Sequence, residues 1–224
     1  MNVNSAEISK LPIYGHLEEI CSTLKNSPSR ALVLTAETGA GKSTAVPISL
    51  LENFNGKILM LEPRRIAVLN IADRVSFLLG EKEGQTCGYI MHLEKKISGA
   101  TRFTVLTEAV LTRKIQADPA LDGVSVVVLD EFHERSLNAD LALALLKETM
   151  QIRDDLYLLV MSATIDAERI AAFLGTNENP CPIIRAEGKA FPVEVEYMPD
   201  LAVESAVVRA LEDGGTILVF LPGI

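Results

Sequence analysis

Residues 36–44 read AETGAGKST and follow directly on the apolar run Ala31-Leu32-Val33-Leu34-Thr35. A strand, a glycine-rich turn and a helix opening at Lys42 would aim backbone N–H groups and a helix dipole at one point, which suits an anion. Gly39 and Gly41 supply backbone angles and a close approach that a side chain would block. In such a loop the lysine, Lys42, reaches the outer phosphates of a nucleotide, and the next hydroxyl, Ser43, suits Mg²⁺. The strict pattern opens with glycine, whereas here Ala36 stands first, at the position farthest from Gly-Lys-Ser.

Further strands are expected where short β-branched runs recur, at 57–62, 103–106, 124–130 and 156–161. Amphipathic stretches at 16–25, 42–52, 64–79, 107–117, 138–152 and 166–174 read as helices between them. The strands are apolar almost throughout, as parallel strands covered on both faces must be. The pattern predicts an α/β fold with an open, mostly parallel sheet and helices on both faces. Gly80, Gly84 and Gly88 mark a looser excursion. Turn-rich "GTNENPCP" and extended "EGKAFPVEVEYMP" then suggest a break, so the first domain is expected over 1–188. Residues 189–224 read as a connector and the truncated start of a second domain, with a helix at 201–213 and a strand entering at "GGTILVFLPGI".

The run Val124–Leu129 ends on Asp130-Glu131. Ligands bind at the C-terminal edge of an open α/β sheet, where one acid can hold Mg²⁺ through water while its neighbour orients and deprotonates an attacking water. Alone, two adjacent acids there would be an ordinary solvated turn. After a phosphate loop, with His133 and Arg135 close behind, they read as machinery.

The chain carries 21 Lys/Arg against 30 Asp/Glu, a net charge of −9. Residues 57–114 reverse the balance, with ten Lys/Arg against six Asp/Glu, so a basic surface that accepts a polyanion is compatible with the acidic total. No apolar run approaches the ~18 residues of a membrane span, and "MNVNSAEISKLP" lacks the basic start and apolar core of a signal peptide. Cys21, Cys87 and Cys181 show neither metal-ligand spacing nor an even disulfide set. A cytoplasmic location with no membrane partner is therefore expected.

"DEFHER" (130–135) resembles motif II of the DEAH/DExH group of superfamily 2 helicases. "AETGAGKST" resembles their motif I, "LEPRRIAV" (61–68) motif Ia, "TEAVLTRKIQADPAL" (107–121) motif Ib, "MSATI" (161–165) motif III and "LVFLPG" (218–223) the start of motif IV. Phe132 within the DExH box, "LEPRR" and "ERSLNADLALAL" are similar to the bacterial HrpB-type ATP-dependent RNA helicases. The six motifs run in order over nearly the whole chain. The resemblance implies a RecA-like P-loop NTPase fold and RNA-directed ATP hydrolysis.

Residue by residue, it implies that Thr38, Gly39, Ala40, Gly41, Lys42, Ser43 and Thr44 bind the nucleotide and Ser43, Asp130 and Glu131 serve the Mg²⁺ ion. Glu131, Asp130, Lys42 and His133 would carry the chemistry. Arg74 matches an arginine that stacks on the nucleotide base, and a planar cation accepts any base face. Residues 1–30 contain no glutamine, hence no match to the adenine-reading Q motif of DEAD-box relatives, so NTPs besides ATP are expected to serve. Arg64, Arg65 and Thr107 would contact the nucleic-acid backbone, RNA by the resemblance, without reading sequence. Ser162, Thr164 and Arg135 would couple the site to the second domain.

The departures are Ala36, Ala109 in place of the glycine usual in "TEGVL", and His92 where relatives often carry arginine, which implies one weaker backbone contact. Motifs V and VI, with their arginine fingers, and the winged-helix and C-terminal domains have no match in these residues. Such fingers are worth about 10³–10⁵ in rate, so these 224 residues alone are expected to be weakly active. A small-molecule P-loop kinase and a nucleic-acid clamp with a degenerate ATPase share parts of the pattern. The first needs an arginine-bearing lid where this chain has DEFH and SAT, and intact Lys42, Asp130 and Glu131 speak against the second.

Overall fold

The computed structural model describes residues 3–163, 166–186 and 193–221. Thr164, the boundary expected at 188/189 and the end of the motif IV match lie outside these. The chain divides into two compact units, Met1–Ala190 and Phe191–Ile224.

The first unit opens with a one-turn helix α1 (Ser5–Ile8), a 3₁₀ turn Pro12–His16 and α2 (Leu17–Asn26). The sheet then begins: β1 (Ala31–Ala36), α3 (Lys42–Asn53), β2 (Lys57–Leu61), α4 (Arg65–Leu78), β3 (Cys87–Met91), β4 (Glu94–Lys96) and β5 (Phe103–Leu106). It continues through α5 (Glu108–Ala117), β6 (Val124–Leu129), a 3₁₀ turn Phe132–Glu134, α6 (Leu137–Ile152), β7 (Tyr157–Ser162), α7 (Ala167–Leu174) and β8 (Ile183–Ala186).

Among the described residues the eight strands form one sheet in the order β4-β3-β5-β2-β6-β7-β1-β8. Every pairing is parallel except the β3–β4 hairpin. Side chains alternate between the faces. Leu32 and Leu34 of β1 and Val126 and Val128 of β6 join a core with α2, α3 and α4. Ala31, Val33, Val127 and Leu129 face the other way, into a core with α5, α6 and α7. Both faces are thus covered, which is why these strands are apolar throughout.

The register fixes the functional edge. Leu61 pairs with Leu129, Leu129 with Val160, and Thr35 with Ser162. The segments that leave β2, β6, β7 and β1 therefore emerge side by side at the C-terminal edge. They are the four stretches singled out in the sequence: Glu62-Pro63-Arg64-Arg65, the DEFHER turn, Ser162-Ala163 and the phosphate loop.

Three strands were not among those expected. The glycine-marked excursion holds β3 and β4, and β8 adds a strand beside β1. β4 (Glu-Lys-Lys) is wholly exposed, so it has no apolar alternation to read. In the second unit α8 (Val203–Glu212) forms within the expected 201–213 and buries none of its residues. The strand expected after Gly214-Gly215 is absent over the described residues to 221. A strand needs a hydrogen-bonding neighbour, and the described residues of this unit provide none.

Candidate nucleotide site and nucleic-acid edge

The phosphate loop has the backbone its sequence requires. Gly39 and Gly41 take φ +84° and +86°, in the left-handed region that glycine enters without strain. Gly41 is the N-cap of α3, so the loop leads into the helix at its positive end. Ala40 is 3% exposed, and Thr38 lines the cleft beside Ser43. The Thr44 hydroxyl donates back to the Gly41 carbonyl at 3.2 Å, which braces the first turn. Ala36, the departure from the strict pattern, ends β1 as a buried core residue, so the missing glycine leaves the loop intact.

Lys42 is 3% exposed, and its Nζ lies 3.3 Å from Glu131 Oε1. The lysine of the loop and an acid of the DEFHER turn therefore meet across the edge, β1 to β6. Asp130 is fully buried. Its Oδ1 accepts the Glu131 backbone N–H at 2.8 Å, while Oδ2 has no partner among the described residues. Burial pushes the Asp130 carboxyl up to about 6, partly offset by the Ser43 hydroxyl and the Lys42 charge. An orphaned buried carboxylate oxygen beside a serine hydroxyl is a hard-oxygen donor set of the kind that holds Mg²⁺ through few protein ligands and several waters. Ser43 and Asp130 thus fit that ion, with Glu131 at its margin.

The DEFHER turn is held in a costly backbone. Glu131 and Arg135 take φ +48° and +46° on either side of the 3₁₀ turn, a region that costs non-glycine residues about 1–3 kcal/mol each. Phe132, 1% exposed, anchors the turn in the α5–α7 core. Arg135 stacks over its ring at 5.6 Å and pairs with Asp140 at 2.9 Å, so in this structure its partners belong to its own loop and to α6.

His133 Nδ1 lies 3.3 Å from Glu131 Oε2 and accepts the Ala163 backbone N–H at 3.4 Å. One nitrogen cannot donate to the carboxylate while accepting from the amide. The choice of tautomer therefore ties the ring either to Glu131 or to the loop after β7. Ser162, fully buried at the end of β7, has a hydroxyl without a partner among the described residues. His133 thus stands between the acid and the expected coupling segment and can bond one of them at a time through Nδ1.

Arg64, Arg65 and Thr107 all follow strands that end at the same edge. Thr107 is the N-cap residue of α5. Arg64 extends from the end of β2, 68% exposed, with Nη2 2.6 Å from Glu134 Oε1. Arg65 is 61% exposed and 3.9 Å from Glu94, where water competes well for both charges. Arg74 sits on α4 with its guanidinium 3.4 Å from Glu7 and over the Phe77 ring.

Sequence reading passed over Glu62 and Glu134. Glu62 follows β2 as Asp130 follows β6, and that parallel was the available signal. It is 2% exposed and accepts the Arg64 backbone N–H at 3.3 Å. Burial, then the charge of Asp130, pushes its carboxyl up to about 8. Glu62, Glu131, His133, Glu134, Ser43 and Thr38 share one open cleft of about 320 Å³.

A phosphate loop and a metal-suited acid pair stand on one edge of a parallel sheet, flanked by an exposed arginine loop, the layout of a helicase-type P-loop domain. Residues 18–173 match the DEAD/DEAH box helicase family, and the chain belongs to it. It is 48% identical over 228 residues to the ATP-dependent RNA helicase HrpB of Escherichia coli (strain K12), covering 97% of this chain and 27% of that protein. It is 39% identical over 215 residues to the human ATP-dependent RNA helicase DHX29, covering 90% of this chain and 15% of that one. The crystal structure of the Escherichia coli DEAH/RHA helicase HrpB superposes with a TM-score of 0.81 at 46% identity, over 96% of this chain and 28% of that chain. The chain thus spans about a quarter or less of the length of these relatives. The match shows a RecA-like helicase fold.

Proposed function

We propose that this chain is the ATP-binding first motor domain of an ATP-dependent RNA helicase, hydrolysing ATP and other NTPs with Mg²⁺ to move along or remodel RNA. The observation that carries the reading is the convergence of Lys42, Asp130 and Glu131 at one edge, beside an exposed arginine loop. Magnesium would supply charge neutralisation at the β- and γ-phosphates. Lys42 would meet the same oxygens, Glu131 would orient and deprotonate the attacking water, and Asp130 would hold the metal through water. His133 would report the state of Glu131 to the loop holding Ser162 and Thr164, with Arg135 bracing the turn. Arg64, Arg65 and Thr107 would hold RNA by its phosphates, so binding would tolerate any sequence. Full activity would require a second RecA-like domain and the C-terminal domains of such helicases, acting in the cytoplasm.

The test is ATPase activity of the full-length protein with RNA, DNA or neither. RNA-stimulated turnover that collapses in Glu131→Gln is expected. Stimulation by a small phosphate acceptor, with no response to either nucleic acid, would overturn the proposal. No helix among the described residues is long and apolar enough to cross a membrane.

A further inference from the structure

The residues ahead of α2 run along the outside of the phosphate loop and end against α4. The Ile13 backbone N–H donates to the Ala40 carbonyl at 3.0 Å, so one loop carbonyl is fixed from outside the loop. Leu11 covers the neighbouring glycine: a Cβ placed on Gly41 would lie 2.9 Å from Leu11 Cδ1. Pro12 opens the 3₁₀ turn with a fixed φ, and Ile13, fully buried, anchors it.

One helical turn upstream the same segment holds Arg74. The Asn4 backbone N–H donates to the Leu78 carbonyl at 2.8 Å, which ties α1 to the end of α4. The Glu7 carboxylate then lies 3.4 Å from Arg74 Nη2, and the guanidinium stands 5.3 Å from the Phe77 ring centre. Lys10, 2.7 Å from the other Glu7 oxygen, and then Arg74 hold that carboxyl below its ordinary range. Arg74 is 42% exposed. Without these partners such a long side chain would sample many rotamers, each of which a stacked ligand would have to exclude.

We propose that Glu7 is a positioning residue for NTP binding: it fixes the Arg74 guanidinium, from a segment that also braces the phosphate loop, so that its plane meets the nucleotide base. This rests on the reading of Arg74 as the base-stacking residue. Recognition would use only the π face, so the ligand class is any nucleoside triphosphate, and the contact would contribute to binding rather than to chemistry.

The test uses the full-length protein, with ATP and inorganic triphosphate, which has no base, as ligands. Glu7→Ala and Glu7→Gln are expected to weaken ATP binding and raise its KM about 3–10-fold. Both should keep kcat within about twofold and leave triphosphate affinity unchanged. Arg74→Ala should weaken ATP binding while sparing triphosphate affinity, and the Glu7→Ala/Arg74→Ala double variant should bind ATP no worse than Arg74→Ala alone. Equal weakening of ATP and triphosphate by Glu7→Ala would assign Glu7 a merely structural role and overturn the proposal. Arg74→Ala weakening ATP while both Glu7 variants bind it normally would overturn it too, leaving the base-stacking reading standing. Unchanged ATP affinity in Arg74→Ala would remove that reading, and this proposal with it.

Discussion

Lys42 Nζ and Glu131 Oε1 lie 3.3 Å apart, with the lysine 3% exposed, so the buried ammonium has a carboxylate of the DEFHER turn as its counter-charge. On the proposed reading, a triphosphate at the loop would compete for Lys42 and release Glu131 to face water. Glu131→Gln is expected to slow ATP hydrolysis about 10²–10⁴-fold, the usual worth of a general base, and to retain or tighten ATP binding. The same variant leaves Lys42 buried without its ion pair, which destabilises. Its melting temperature without ligand should therefore fall, and saturating ATP should restore more of the loss than in the wild type. Single-turnover hydrolysis and thermal melts with and without ATP measure both effects.

Gly41 combines φ +86° with a Leu11 side chain where its Cβ would go. Gly41→Ala therefore meets strain of about 1–3 kcal/mol and a contact that relaxes only if Leu11 moves. Urea unfolding should show that loss, and ATP affinity should fall because the loop and the start of α3 shift together. Leu11→Ala in the same background should recover part of the affinity by clearing the contact. No recovery would mean that the backbone angle alone sets the cost.

The strands that carry the site were legible because burial on both faces leaves an apolar run ending abruptly in a polar residue. β1 ends at Ala36, before Glu37, and β6 ends before Asp130-Glu131, and chemistry was read from that break. β3, β4 and β8 gave no such signal: β4 is charged throughout, and β3 (CGYIM) and β8 (IIRA) are short edge or near-edge runs broken by a glycine or an arginine. Strand order was also invisible: nothing in 124–130 says that it lies between 57–61 and 157–162. For that reason Glu62, distant in sequence but level with Asp130 in the register, escaped notice. Glu7 escaped for a related reason, because an acid on a single exposed helical turn has meaning only through the α4 residue it touches.

Glu62 makes stability pH-dependent in a definite direction. Its carboxyl is raised from 4.5 to about 8 by burial and by Asp130, so the folded protein holds its proton more tightly than the unfolded chain. This group's contribution to stability is complete below about 4.5, is lost as pH climbs to about 8, and is flat beyond. Asp130, raised from 3.8 to about 6, adds the same sign over a lower window. Glu62→Gln keeps an oxygen for the Arg64 N–H and has no proton to lose. It should match the wild type near pH 5 and exceed it near pH 8.5 by on the order of a few kcal/mol. Denaturant titrations across that range test it, and parallel curves would place the Glu62 carboxyl at its ordinary value.

Arg64 and Glu134 form an ion pair at 2.6 Å on the loop that would receive RNA. The guanidinium that suits a phosphate is therefore occupied by a carboxylate of the DEFHER turn, and RNA must displace it or share it. The arginine is 68% exposed, so the pair is worth about 0.2–1 kcal/mol. Glu134→Gln removes the competitor and should tighten RNA binding by about 1.4–5-fold at moderate salt. Arg64→Ala should weaken binding uniformly across RNA sequences and lower the salt slope by about one counterion. In the double variant the gain from Glu134→Gln should vanish, because the residue it frees is gone. Salt titrations of RNA affinity on the four proteins decide this. A Glu134→Gln gain that survives Arg64→Ala would show that Glu134 repels RNA directly instead of occupying Arg64.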